Sequence, residues 1–236
     1  MSRVISQRVL PAIAATELPV AGGGLFPVRR IYCVGRNYLD HIREMQEADE
    51  RDPPFFFQKP RDAVVPDGGR VPYPPFTSDL QFEVELVIAI GRAGRDIAVD
   101  EACGHVWGYA VGIDLTRRDR QRDAREARLP WEVGKSFDAS APCGPIAPAR
   151  DARHFKDCII ALSVNGVERQ RGDIGRMIWS VPEVIAQLSR QVRLRAGDLI
   201  YTGTPAGVGA AVPGDLISAT IDGLPSLTIT ITPPET

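Results

Sequence analysis

Apolar residues in this chain come mostly in short blocks that alternate with polar ones. That period is the mark of strands. The blocks 29-RRIYCVG-35, 53-PPFFFQKP-60, 158-CIIALSVNGVERQ-170, 198-DLIYTG-203, 215-DLISATI-221 and 227-LTITI-231 each read as a strand or a strand with its turn. Asn165-Gly166 between two apolar runs is a hairpin signal. In 100-DEACGHVWGYAVGIDL-115 a helical turn runs into a further strand. Helical spacing is confined to 37-NYLDHIREMQEADE-50, with Asn37 as N-cap, to 117-RRDRQRDAREARL-129 and to 178-IWSVPEVIAQLSRQV-192. The Pro- and Gly-dense 66-PDGGRVPYPPF-76 reads as loop. Many strands and few helices, without regular βαβ alternation, predict an α+β fold whose sheets are mixed or mostly antiparallel.

One block breaks the rule that buried strands are apolar. In 79-DLQFEVELVIAIG-91, Glu83 and Glu85 fall on the same face of a predicted strand, ahead of Val87 and Ala89. Phe82, Val84, Leu86 and Ile88 fill the other face, so both faces look buried. Two adjacent buried carboxylates are costly unless they are compensated. The strand then faces water locally, or the glutamates pair with arginine, or they hold a divalent cation. A third acid, Asp114, ends the run GYAVGI. Three carboxylates at strand ends form an all-oxygen site, which favours Mg²⁺ or Mn²⁺ over zinc.

Asp114, Arg118 and Gln121 follow at i, i+4, i+7, one helical face beginning at the acid. His41 and Glu44 are i, i+3 neighbours, and a carboxylate beside an imidazole suits a general base. The alternative for both groups is a solvated charged surface. In 202-TGTPAGVG-209 small residues after a strand leave N–H groups able to take an anion, or simply form a tight turn.

Composition narrows the class. The 236 residues carry a formal charge of −2, are 44% hydrophobic and 25% charged, and so give no global support to a nucleic-acid or anionic-membrane role. Cys33, Cys103, Cys143 and Cys158 show no CxxC spacing and read as reduced thiols of a cytosolic protein. Pro11 and Glu17 interrupt the apolar N-terminal patch, against a signal peptide, and no run reaches the length of a membrane span.

The motifs CVGRNYLDHIREM, FFFQKP, DLQFEVELVIAIG, GYAVGIDLTRRDRQ, PWEVGKSFD and TGTPAGVG, in that order, resemble the fumarylacetoacetate hydrolase family over about residues 28–230. The detail of RRIYCVGRNYLDH, PPFFFQKP and VPYPPFTSDL is similar to its fumarylpyruvate-cleaving, acylpyruvate hydrolase branch. The resemblance implies a mostly β fold of mixed sheets rolled into a barrel-like form. It implies one catalytic domain over 26–236 after an N-terminal extension at 1–25, and a cytoplasmic homodimer with Mg²⁺ or Mn²⁺. Glu83, Glu85 and Asp114 match metal ligands. His41 and Glu44 match a water-activating dyad on a mobile lid. Arg118, Gln121 and Lys135 match groups that stabilise an oxyanion, and Lys59 and Thr204 match substrate contacts. The implied reaction is hydrolysis of a 2,4-dioxo acid at C3–C4, such as fumarylpyruvate to fumarate and pyruvate. Oxaloacetate decarboxylation or isomerisation on the same site is the alternative within the family. A non-catalytic metal- or carboxylate-binding protein is the alternative outside it. The acidic stretch 46-QEADERD-52 beside the lid departs from the family pattern and bears on substrate preference.

Overall fold

The computed structural model describes residues 10–39, 52–149 and 157–235. Its centre is a six-stranded mixed sheet. The strand order is Ala147–Pro148, Val106–Ile113, Val84–Ile90, Asp198–Tyr201, Arg30–Gly35, Phe55–Lys59. Asp198–Tyr201 runs parallel to Arg30–Gly35, and the other pairings are antiparallel. A five-stranded sheet, Val167–Asp173, Ile159–Val164, Leu216–Ile221, Leu227–Thr232, Arg70–Pro72, packs over it.

The two faces of Val84–Ile90 enter two different cores, as the alternation predicts. Val84, Leu86, Ile88 and Ile90 join Ile160, Leu162, Ile217 and Ile229 between the sheets. Val87 and Ala89 join Leu18, Phe26, Ile31 and Tyr201 on the opposite side. The core between the sheets is mostly β-branched residues and Leu, which suit a pleated surface. Each sheet stays open in its strand order, so the mixed sheets are as expected but no barrel closes among the described residues.

Two local expectations change. The loop read at 66–76 contains the strand Arg70–Pro72, which is held parallel to Leu227–Thr232 at the sheet edge, where Pro72 costs no ladder bond. Strands Glu17–Pro19 and Leu25–Pro27 form a hairpin across the predicted boundary at residue 25, and it buries Leu18 and Phe26. Asn165 and Gly166, at φ 52° and 80°, make the hairpin turn predicted for them. Helix Val181–Gln191 starts with a capping box between Ser180 and Glu183. No helix of the described residues is long and apolar enough to cross a membrane.

Candidate active site

The strand read over 79–91 is divided at Glu83. Leu80–Phe82 pairs with Thr116–Arg117 and Gly209–Ala210, whereas Val84–Ile90 belongs to the six-stranded sheet. Glu83 occupies the break, Glu85 lies in the second strand, and Asp114 follows the end of Val106–Ile113. The Asp114 N–H donates to the Glu83 carbonyl at 2.8 Å, and Glu85 is registered against Gly112. Two antiparallel neighbours thus deliver their acids to one end of the sheet. The three carboxylates are buried, with oxygens within 4.8 Å of one another.

Three cations surround them. Arg118 Nη2 donates to Glu83 Oε1. Lys135 Nζ donates to Glu83 Oε2 at 2.7 Å, Asp114 Oδ2 at 2.9 Å and Thr116 Oγ1 at 2.7 Å. Lys59 Nζ lies 2.8 Å from Asp114 Oδ1, an ion pair without hydrogen-bond alignment. Burial would lower the Lys135 pKa, but the charges of Asp114 and Glu83 raise it, so the ammonium stays protonated.

Glu85 is held differently. Its Oε2 accepts the Gly203 N–H at 2.7 Å. Desolvation pushes its pKa well up, and the charges of Asp114 and Glu83 push the same way. The positive charge missing at Glu85, beside an all-oxygen donor set, fits a hard divalent ion such as Mg²⁺ or Mn²⁺.

The anion taken by the predicted glycine loop is therefore Glu85 itself. Gly203 adopts φ +95°, and a Cβ there would sit 2.7 Å from the Asn37 Cβ, so this backbone needs glycine. The helix that Asn37 was expected to cap lies outside the described residues; the Asn37 Oδ1 accepts the Trp179 N–H at 2.7 Å, and its Nδ2 donates to the Thr202 carbonyl at 2.7 Å.

Arg118, Gln121, Lys135 and Thr204 line a cleft of about 150 Å³ with the acids at its inner end, a size for a small metabolite. Arg118 is fixed in advance. Its Nε donates to Gln81 Oε1 at 2.8 Å and its Nη1 to Gln121 Oε1 at 2.6 Å. Gly134 lets the Lys135 helix approach closely, since a Cβ there would meet the Gln121 backbone N at 2.8 Å. All three Lys135 donors are engaged within the acid cluster, so its contact is with the acids and Thr116. Lys59, expected at the substrate, is not in the cleft lining. Its ammonium is buried behind Asp114 and donates to the Leu115 and Lys135 carbonyls. His41 and Glu44 lie outside the described residues. Burial pushes the Cys33 thiol far up and Cys143 to about 12, so neither is a candidate nucleophile.

Residues 30–232 match the fumarylacetoacetate (FAA) hydrolase C-terminal family. The chain belongs to the fumarylacetoacetate hydrolase family. It is 42% identical over 181 residues to a fumarylpyruvate hydrolase of Ralstonia sp, spanning 77% of this chain and 94% of that one. It is 40% identical over 207 residues to the mitochondrial oxaloacetate tautomerase of Homo sapiens, spanning 88% and 93%. Among solved structures, the fumarylpyruvate hydrolase of Pseudomonas aeruginosa in complex with Mn²⁺ and pyruvate superposes with a TM-score of 0.93. The two are 50% identical over 96% of this chain and 100% of that one.

One residue that holds the acid cluster together escaped sequence reasoning. Gln170 is fully buried. Its Oε1 accepts the Val84 N–H at 2.9 Å, and its Nε2 donates to Thr204 Oγ1 at 2.9 Å and the Pro205 carbonyl at 3.0 Å. It ties the segment between Glu83 and Glu85 to the cleft loop. Gln170→Leu would leave the Val84 N–H and the Pro205 carbonyl without that partner. Urea unfolding should show a loss of about 2–4 kcal/mol, with Mn²⁺ affinity reduced as well.

Proposed function

We propose that this chain hydrolyses the C3–C4 bond of a 2,4-dioxo acid, with fumarylpyruvate cleaved to fumarate and pyruvate. The observation that carries this reading is the buried trio Glu83, Glu85 and Asp114 at the inner end of a small cleft lined by preorganised donors. These three residues would hold Mg²⁺ or Mn²⁺, which when bound supplies Lewis-acid polarisation of 2-keto acid oxygens. Arg118, locked between Gln81 and Gln121, offers a fixed guanidinium where oxyanion charge develops. Gln121 keeps that guanidinium in place, and Thr204 faces the same cleft. Lys135 and Lys59 pair with Glu83 and Asp114 and hold these carboxylates in place. His41, oriented by Glu44, is assigned the removal of a proton from water as that water attacks the C4 carbonyl. When C3–C4 breaks, C4 leaves as a carboxylic acid. C3 retains the bonding pair and takes up a proton, giving pyruvate.

The proposal includes a cytoplasmic homodimer in aromatic degradation, with no nucleic-acid or membrane partner. The identity to an oxaloacetate tautomerase supports a second reading, isomerisation or decarboxylation of oxaloacetate on the same residues. A turnover panel of fumarylpyruvate, maleylpyruvate, acetylpyruvate and oxaloacetate, with Mg²⁺ and with Mn²⁺, decides between them. Pyruvate release from an acylpyruvate should exceed every reaction of oxaloacetate. The reverse order assigns the site to oxaloacetate, and silence toward all four removes both readings.

A further inference from the structure

Two segments run outward from the acid cluster, and each carries a lysine at the acids and an aromatic ring further out. On strand Phe55–Lys59, alternation puts Phe55, Phe57 and Lys59 on one face. Lys59 meets Asp114, and Phe57 follows two residues away, about 7 Å along the strand. On the other segment, the Lys135 N–H donates to the Trp131 carbonyl at 3.0 Å, which places Trp131 one helical turn before Lys135. The two segments meet through their side chains. Lys135 Nζ lies 5.3 Å from the Phe57 ring centroid, and the Phe57 and Trp131 centroids are 6.1 Å apart. The charged end of the cleft therefore passes directly into an aromatic wall.

Phe57 and Trp131 both line the cleft, and each is half-buried, so part of each ring is open to it. Their planes meet at 51°. Neither ring is loose. Phe55 meets Trp131 edge-on, with centroids 4.9 Å apart and planes at 85°, an arrangement that aromatic quadrupoles favour. The Lys135 ammonium over Phe57 is a cation–π contact that holds the phenyl ring beside the acids.

We infer that Phe57 and Trp131 select the acyl group of the substrate, favouring a flat, conjugated chain over a saturated chain of the same length. This inference rests on the acylpyruvate reading, which puts the acyl group next to the acids. A conjugated chain is planar before it binds, so it lies against fixed rings at little cost in torsional freedom. Its π system also meets the ring quadrupoles directly. A saturated chain has to freeze its rotors and touches the same rings through fewer close contacts. Phe57 and Trp131 are thus specificity residues, and the acids and Arg118 remain the groups nearest the chemistry.

The test uses the full chain, the double variant Phe57→Leu/Trp131→Leu and the conservative variant Trp131→Phe. The substrates are fumarylpyruvate and succinylpyruvate, which differ only in saturation of the acyl double bond. Both end in a carboxylate, so charge is constant, and general damage to the site cancels in their ratio. The ratio of kcat/KM for fumarylpyruvate to that for succinylpyruvate should fall at least about threefold in the double variant, the size of one lost aromatic contact. Trp131→Phe keeps a flat face and should lose less. A smaller fall in the double variant, or an equal fall in Trp131→Phe, overturns the inference. A second readout needs no turnover. By calorimetry with Mn²⁺ present, the wild type should bind fumarate more tightly than succinate, and the double variant should lose that preference. Equal binding of the two acids by the wild type also overturns it. If no acylpyruvate is cleaved while the fumarate preference is present and depends on the two rings, the acylpyruvate reading fails and the aromatic selection stands. If acylpyruvates are cleaved with an unchanged ratio, the reading stands and the selection fails.

Discussion

Glu85→Gln should abolish turnover and weaken Mn²⁺ binding by more than about 100-fold, while leaving the metal-free protein at least as stable as wild type. The two halves of this expectation have one cause. Glu85 is buried against two other carboxylates, and its polar partners are the Gly203 N–H and the more distant Lys135 charge. A glutamine keeps an oxygen for Gly203 and removes the repulsion, so the fold loses little or gains. The cation loses an anionic ligand. Asp114→Asn should behave differently, because Asp114 also pairs with Lys59 and Lys135. Removing its charge leaves buried ammonium groups undercompensated, at a cost of about 3–5 kcal/mol. Urea unfolding without metal separates the two variants, and calorimetric Mn²⁺ titration measures the ligand effect. Wild-type Mn²⁺ affinity in both would remove these acids from the metal site. Loss of stability in Glu85→Gln equal to that in Asp114→Asn would show that Glu85 serves the fold.

The acids were legible because charge inside an apolar alternation is expensive and therefore conspicuous. The strands were legible for the same reason, down to the separate cores entered by Val84 and Val87. The break at Glu83 was not. It depends on a change of sheet partner and on Gln170, 86 positions away, capturing the Val84 N–H. Local pattern carries no information about such long-range hydrogen bonds. The place of Lys59 behind Asp114 was hidden for the same reason: its partners, Asp114 and Leu115, come from distant segments.

His41→Ala should separate hydrolysis from decarboxylation. The assignment of His41 and Glu44 rests on their i, i+3 spacing and on the family resemblance. Hydrolysis needs an attacking water and a base to deprotonate it, whereas oxaloacetate loses CO₂ without nucleophilic attack. The variant should therefore lose about 10²–10⁴ in kcat on fumarylpyruvate, far less on oxaloacetate, and keep its Mn²⁺ affinity. Lys135→Met provides the contrast. Its ammonium is engaged by Glu83, Asp114 and Thr116, so its removal disturbs the acid cluster that both reactions use. Losses on the two substrates should then be of similar size and should come with weaker Mn²⁺ binding. The measurement is kcat/KM for both substrates in both variants at saturating Mg²⁺. Equal proportional losses in His41→Ala would move the histidine from water activation to substrate binding or closure of the site. Selective loss of hydrolysis in Lys135→Met would mean that the lysine leaves the carboxylates during turnover to meet the oxyanion itself.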